Sequence, residues 1–144
     1  MPATTSAAKP PHTGLLFGAR VPMSAALGLI DEAIGDDAAR IRMPFNPLHT
    51  NGKGEVHGGA LMALLDCTLA CAARAHDPVN TLVITVDLST HFIASAPGEV
   101  IGTARCLRRG RSLAFSQGEI RDDHGNLLAT ATATLKLVHR KPAG

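Results

Sequence analysis

The stretch at residues 58–75, GGALMALLDCTLACAARA, constrains the fold more than any other part of the chain. Its alanines and leucines, with Met62, have high helix propensity and leave almost no polar face. A helix that is apolar nearly all round has to be buried on most of its sides. Arg74, His76 and the Asp77-Pro78 pair end it, with basic residues where the helix dipole favours them.

What can bury such a helix follows from the rest of the chain. Residues 81–92, 99–109, 111–121 and 127–138 read as four successive strands. In the last, Ala129, Ala131, Ala133, Leu135 and Leu137 alternate with Thr130, Thr132, Thr134 and Lys136, the period of a half-buried antiparallel strand. In residues 81–92, Leu82, Ile84, Val86 and Leu88 alternate with Val83, Thr85, Asp87 and Ser89. Upstream, residues 29–34 and 38–43 form a hairpin around Gly35-Asp36-Asp37. Residues 21–29 suit a short helix, and residues 44–56, rich in Gly, Asn and Pro, form a long loop. The expected architecture is α+β, an antiparallel sheet wrapped around one central helix. The sheet's remaining face and edges predict a homodimer or a dimer of dimers.

With 144 residues the chain makes one domain, placed at residues 15–144. Residues 1–14, with Pro2, Pro10 and Pro11 among small and polar residues, read as a disordered tail without the apolar run of a secretory signal. Fourteen basic residues against twelve acidic ones give a net charge of +2, too little for a nucleic-acid binder working by bulk charge. No run is apolar enough for a membrane span. Cys67, Cys71 and Cys106 are odd in number and sit in apolar surroundings, which fits free thiols in a reducing cytoplasm. Cys67 and Cys71 share a helix face, but with no further ligands at usable spacing they read as packing and no metal is expected.

Asp66 does not belong in its helix. Carboxylates are seldom buried without a partner, and isolating one costs several kcal/mol or raises its pKa. Asp66 therefore either meets a solvated groove or a buried arginine, or serves as a base or nucleophile in a partly dry cleft. His57-Gly58-Gly59 opens the same helix, where backbone N–H groups point outward unpaired and the dipole favours negative charge. That is the physics of an oxyanion hole; close helix-to-sheet packing would also explain the glycines. Gly58 and Asp66 are about 12 Å apart by helical rise. A site between subunits, taking Gly58 from one and Asp66 from the other, removes that difficulty.

The stretch from His49 through Asn51 to His57-Gly58-Gly59, followed by Asp66, resembles the hotdog-fold acyl-CoA thioesterases of the phenylacetate-pathway type, within the 4-hydroxybenzoyl-CoA thioesterase superfamily. Thr85-Val86-Asp87-Leu88, Ser95-Ala96-Pro97-Gly98 and the segment from Arg109 to Phe115 also match that family. The resemblance implies a hotdog fold and hydrolysis of a coenzyme A thioester without a cofactor. By the same resemblance, Asp66 activates water or attacks the carbonyl, the Gly58 N–H polarises the carbonyl, and His57 and Asn51 orient the thioester. Thr85 is the matching position for a water-holding hydroxyl, with Thr81 or Ser89 the alternatives if the register slips. Gly59, one of Arg109 and Arg111 facing the phosphates, and His91 at the entrance complete the expected substrate contacts. Ala60, Ala63 and Ala70 leave room for an aryl or medium-length acyl group. Two other functions compete: a non-catalytic acyl-CoA-binding module, and a dehydratase or hydratase of acyl thioesters, against which the pattern of His57-Gly58-Gly59 and Asp66 counts.

Overall fold

Gly102 shows how tightly helix and sheet come together. A Cβ built on it would stand 2.8 Å from Thr68 Oγ1 of the long helix, so only glycine lets the backbone approach that closely. The computed structural model describes residues 14–140; the tail expected at residues 1–14 falls almost wholly outside them.

Two short strands, β1 (Leu15–Leu16) and β2 (Ala19–Arg20), pair with each other and lead into helix α1 (Pro22–Leu27). The pair β3 (Ile30–Gly35) and β4 (Ala38–Met43) follows. Its Asp36 and Asp37 both take positive φ, 50° and 58°, the geometry of a tight two-residue hairpin turn. A 3-10 turn at Pro47–His49 interrupts the long loop, and helix α2 spans Gly58–Ala73. Strands β5 (Thr81–Phe92), β6 (Val100–Arg109), β7 (Leu113–Asp122) and β8 (Leu127–His139) complete the chain. The large sheet is antiparallel, in the order β3-β4-β6-β7-β8-β5. This is the α+β hotdog arrangement, one long helix in a curled sheet.

The period of two decides which residues meet the helix. Ile41 and Met43 of β4, Val100 and Ala104 of β6, Ala114 and Ile120 of β7, and alternate residues from Ala129 to Leu137 of β8 are buried. They pack on Leu61, Leu64, Leu65 and Leu69 of α2. The sheet's outer face is polar, tied by Arg40 and Arg42 to Glu32, by Arg42 to Glu99 and by Arg121 to Glu119. Among the described residues, no helix is long and apolar enough to cross a membrane.

The helix is buried on most of its sides, with one open stripe: Ala63, Asp66, Cys67 and Ala70 are only half-buried, and Met62 is exposed. A further irregularity lies in β5. Its register shifts between Thr85 and Asp87, leaving Val86 without a counterpart on β8. Before this bulge Val83 and Thr85 stand opposite the inward Leu137 and Leu135 of β8; after it Leu88, Thr90 and Phe92 stand opposite Ala133, Ala131 and Ala129. Leu82, Ile84 and Val86 are thrown outward, and β5 is an edge of the sheet.

Candidate active site

The bulge follows Thr85 immediately, and Thr85 is the residue that reaches Asp66. Its hydroxyl donates to Asp66 Oδ1 at 2.5 Å. Bulges commonly sit beside functional sites because they re-aim one side chain. One carboxylate oxygen is thus held by a neutral donor, and the other is left to face a substrate or a water. The alternative register through Thr81 or Ser89 does not occur at this carboxylate.

At the start of α2 the backbone donors are distributed unevenly. His57 is the N-cap, and its Nδ1 accepts from the Gly59 N–H at 2.8 Å. Ala60 and Leu61 donate to the His57 carbonyl. The Gly58 N–H has no partner among the described residues. Gly59 therefore does not offer its N–H to a substrate, because the His57 ring takes it. A Cβ at Gly59 would stand 2.9 Å from that ring nitrogen, so the second glycine makes room for the cap. A neutral His57 ring consequently carries its proton on Nε2, free to donate.

Asn51 organises the loop ahead of the helix. Its Oδ1 accepts from Lys53 N at 2.9 Å and Glu55 N at 3.2 Å, and only its amide NH2 remains for a ligand. Two loop residues without an expected role turn out to shape the same segment. Asn46 Oδ1 accepts from Leu48 N, and His49 Nε2 lies 3.1 Å from the Ala26 carbonyl. The His49 carbonyl in turn accepts from His57 N at 2.7 Å, tying the loop to the helix start.

The structure separates other expected site residues from this group. Arg109 lies at the opposite end of α2, donating to the carbonyls of Ala73 and Ala72 and pairing with Asp37 at 2.8 Å. It satisfies carbonyls that a helix C-terminus leaves open. Arg111, in the same turn, is exposed and has no side-chain partner among the described residues. His91 stands opposite Thr130 on the face of the sheet turned away from α2. There it lines a broad depression of about 890 Å³ with Arg40, Arg105 and Glu119. Although this depression is the larger, it holds neither Asp66 nor the helix start.

A smaller cavity of about 200 Å³ does include Asp66 and Thr85, together with Cys67, Cys71, Arg74 and Thr81. Burial above all, helped by Cys71 and the charge of Asp66 and opposed by Arg74, pushes the Cys67 thiol up to about 12. Burial likewise raises Cys71. Neither thiol is a thiolate nucleophile at neutral pH. Arg74 was read in the sequence only as a basic helix end. It is buried and binds the carbonyls of Pro78 and Leu16 and the Cys71 sulfur. A lone cation closing an alanine-rich run was the available signal, but its acceptors lie in β1 and the loop after α2.

One long helix in a curled antiparallel sheet is the hotdog architecture, and comparison with known proteins gives its class, a thioester hydrolase. The thioesterase superfamily model matches residues 53–129, more than half of the sequence, and the chain belongs to that superfamily. A "putative esterase" of Mycobacterium tuberculosis is 32% identical over 127 residues, covering 85% of this chain and 90% of that protein. Its solved structure superposes with a TM-score of 0.76 at 30% identity, over 85% of this chain and all of that one (100%). A Ralstonia eutropha structure described as a "putative thioesterase, phenylacetic acid degradation-related protein" has a TM-score of 0.73 at 31% identity, covering 80% of this chain and 89% of that one. A "putative esterase" of Halobacterium salinarum is 32% identical over 96 residues, where the match spans 63% of this chain and 64% of that protein.

Proposed function

We propose that the protein hydrolyses the coenzyme A thioester of an aryl or medium-chain acyl group, releasing the free acid and the thiol. The observation that carries this reading is the Asp66–Thr85 pair on an otherwise apolar helix whose first N–H, at Gly58, is unpartnered. Asp66 either takes a proton from water as its oxygen adds to the carbonyl, or adds through its free oxygen to form an anhydride that water then opens. In both cases the carbonyl oxygen becomes an oxyanion whose collapse breaks the C–S bond. The sulfur takes the proton that Asp66 removed from water in the first case; in the second it leaves as a thiolate and takes the proton released when water opens the anhydride. In this reading the Gly58 N–H, at a helix N-terminus, holds that oxyanion. His57 Nε2 and the Asn51 amide are the remaining donors for the thioester end.

The distance between Gly58 and Asp66, about 12 Å by helical rise, supports a site shared by two subunits of a homodimer or homotetramer. The half-open stripe of α2 and the apolar outer edge of β5 support the same assembly. With Arg109 engaged at the helix end, Arg111 is the better candidate for a coenzyme A phosphate. Cys67, Cys71 and Cys106 are unbridged, in keeping with a cytoplasmic setting.

Free-thiol release from aryl- and alkyl-acyl-CoA substrates, with Asp66→Asn as the control, tests the reading. Asparagine keeps the size of the side chain and can still accept from Thr85, so folding should match. A loss of about 10²–10⁴ in kcat is expected from removing a general base or nucleophile. Unchanged turnover would remove Asp66 from the chemistry. Saturable binding without turnover in the unmutated protein would favour an acyl-CoA-binding module.

A further inference from the structure

The three donors assigned to the thioester end come from one short run of chain. Asn51, His57 and Gly58 all follow His49 within nine positions, so their spacing depends on how the loop of residues 44–56 is held. Several of its side-chain bonds close within the loop. Asn46 Oδ1 accepts from Leu48 N, Thr50 Oγ1 donates to the Pro47 carbonyl at 2.7 Å, and Asn51 Oδ1 accepts from Lys53 N and Glu55 N. Such local bonds set the loop's shape without setting its place. At its far end the loop is placed by the backbone, where Val56 N donates to the Ala96 carbonyl at 2.8 Å. Its base is placed by the His49 ring.

That ring reaches helix α1, which ends in a left-handed Gly28. There Gly28 N donates to the Ala25 carbonyl and Leu29 N to that of Ser24. The Ala26 carbonyl belongs to the same last turn, where a helix offers no partner of its own, and His49 Nε2 stands 3.1 Å from it. A carbonyl can only accept, so Nε2 carries the ring proton and donates. His49 Nδ1 is then a bare acceptor, buried and without a partner among the described residues. Buried polar atoms are rarely left so, and the ring keeps this orientation for the bond at its other nitrogen. The backbone of the same residue completes the link. Its carbonyl accepts from His57 N at 2.7 Å, and the His57 ring in turn caps the Gly59 N–H at 2.8 Å. One residue thus joins the end of α1 to the start of α2, with Asn51 two positions further along.

We propose that His49 is a positioning residue for the thioester end. Its bond to Ala26 fixes the loop base from which Asn51, His57 and Gly58 present their donors, and it does not itself touch the substrate. This rests on the thioesterase reading and adds a residue to it. A shift of about 1 Å in preorganised groups lowers a rate on the order of 10²-fold, so turnover is more sensitive to this bond than folding is.

The test compares three substitutions by thiol release from benzoyl-CoA and hexanoyl-CoA, by urea unfolding and by amide hydrogen exchange. Glutamine sets an amide N–H near the place of Nε2. Asparagine sets one near Nδ1, too short to reach Ala26, and phenylalanine keeps the ring while losing both nitrogens. His49→Asn and His49→Phe should lower kcat by about 10–10²-fold, with KM within about threefold, as expected when transition-state donors are displaced. His49→Gln should recover most of that loss. Exchange at the Gly59 amide should quicken about tenfold in the two failing variants, while the mid-helix amides of Leu64 and Leu65 hold. If one of these two does not fold, the other carries the comparison with glutamine. Unchanged kcat in both, a loss that glutamine leaves unrepaired, or faster exchange spread evenly along α2 would overturn the assignment and leave the thioesterase reading intact. No turnover of any thioester by the unmutated protein would overturn both.

Discussion

Cys67 follows Asp66 directly, and its thiol lines the same cavity, so its ionisation reports on how dry that cavity is. Burial is the main reason the thiol is held at about 12, against 9.0 for an ordinary cysteine. Between these values the unfolded chain releases the proton and the folded chain retains it. Stability from this group is therefore complete below pH 9 and is lost as pH rises toward 12. Denaturant midpoints taken from pH 8 to 11 should fall less steeply for Cys67→Ala than for the unmutated protein. Identical slopes would mean that solvent reaches the thiol. The same burial predicts slow alkylation of Cys67 at pH 8 until denaturant is added. Asp66, in contrast, was legible from sequence because a carboxylate among leucines violates burial statistics.

At the scale of elements, the proposed function divides Arg109 and Arg111, at the β6–β7 turn, between structure and binding. Arg109 gives hydrogen bonds to two carbonyls at the end of α2 and an ion pair to Asp37, with its side chain 18% exposed. Arg109→Ala should lower stability by about 1–2 kcal/mol in urea unfolding, from the lost bonds to the helix end. Arg111→Ala should leave stability unchanged and raise KM for acyl-CoA. A raised KM in Arg109→Ala with unaltered stability would reverse these assignments. The sequence places the long helix at residues 58–75, and α2 ends two residues earlier, at Ala73, an agreement that follows because propensity and terminating residues are local signals. Strand limits shifted by two residues at most; the turn at Asp36 and Asp37 was read from Gly-Asp chemistry. The bulge at Val86 was invisible, because apolar residues occupy both phases of the alternation in β5 and period two cannot then choose a face. The pair β1 and β2 was missed for lack of length, two residues each. The reach of Arg109 to the end of α2 was invisible, because a turn's composition says nothing of the helix end it meets.

The whole molecule has two unlike edges. Strand β3 carries Asp31 and Glu32 and an irregular register, features that discourage pairing with another sheet. Strand β5 exposes Ile84 at 54%, Val86 at 60% and Phe92 at 52%, with no charge among these three. An edge like this calls for a partner, and a second copy would also cover the open stripe of α2 that carries Asp66. If the site takes Gly58 from one subunit and Asp66 from the other, two differently damaged chains should repair each other. Gly58→Pro removes the helix-start N–H that has no partner among the described residues, at minimal structural cost: Gly58 is the first helical residue, where proline is favoured. The preceding His57 has φ −61° and ψ 137°, the extended region that proline requires before it. A Cβ at this position meets only the Phe92 side chain, whose nearest carbon is 3.5 Å away. Gly58→Pro and Asp66→Asn should each be nearly inactive as pure proteins. Unfolded together in equal amounts and refolded, half of the dimers are mixed, and each mixed dimer holds one intact site of two. Thiol release should then recover to about a quarter of the unmutated rate. Recovery at that level establishes a shared site, whereas a mixture as inactive as its components would place Gly58 and Asp66 in the same subunit's site.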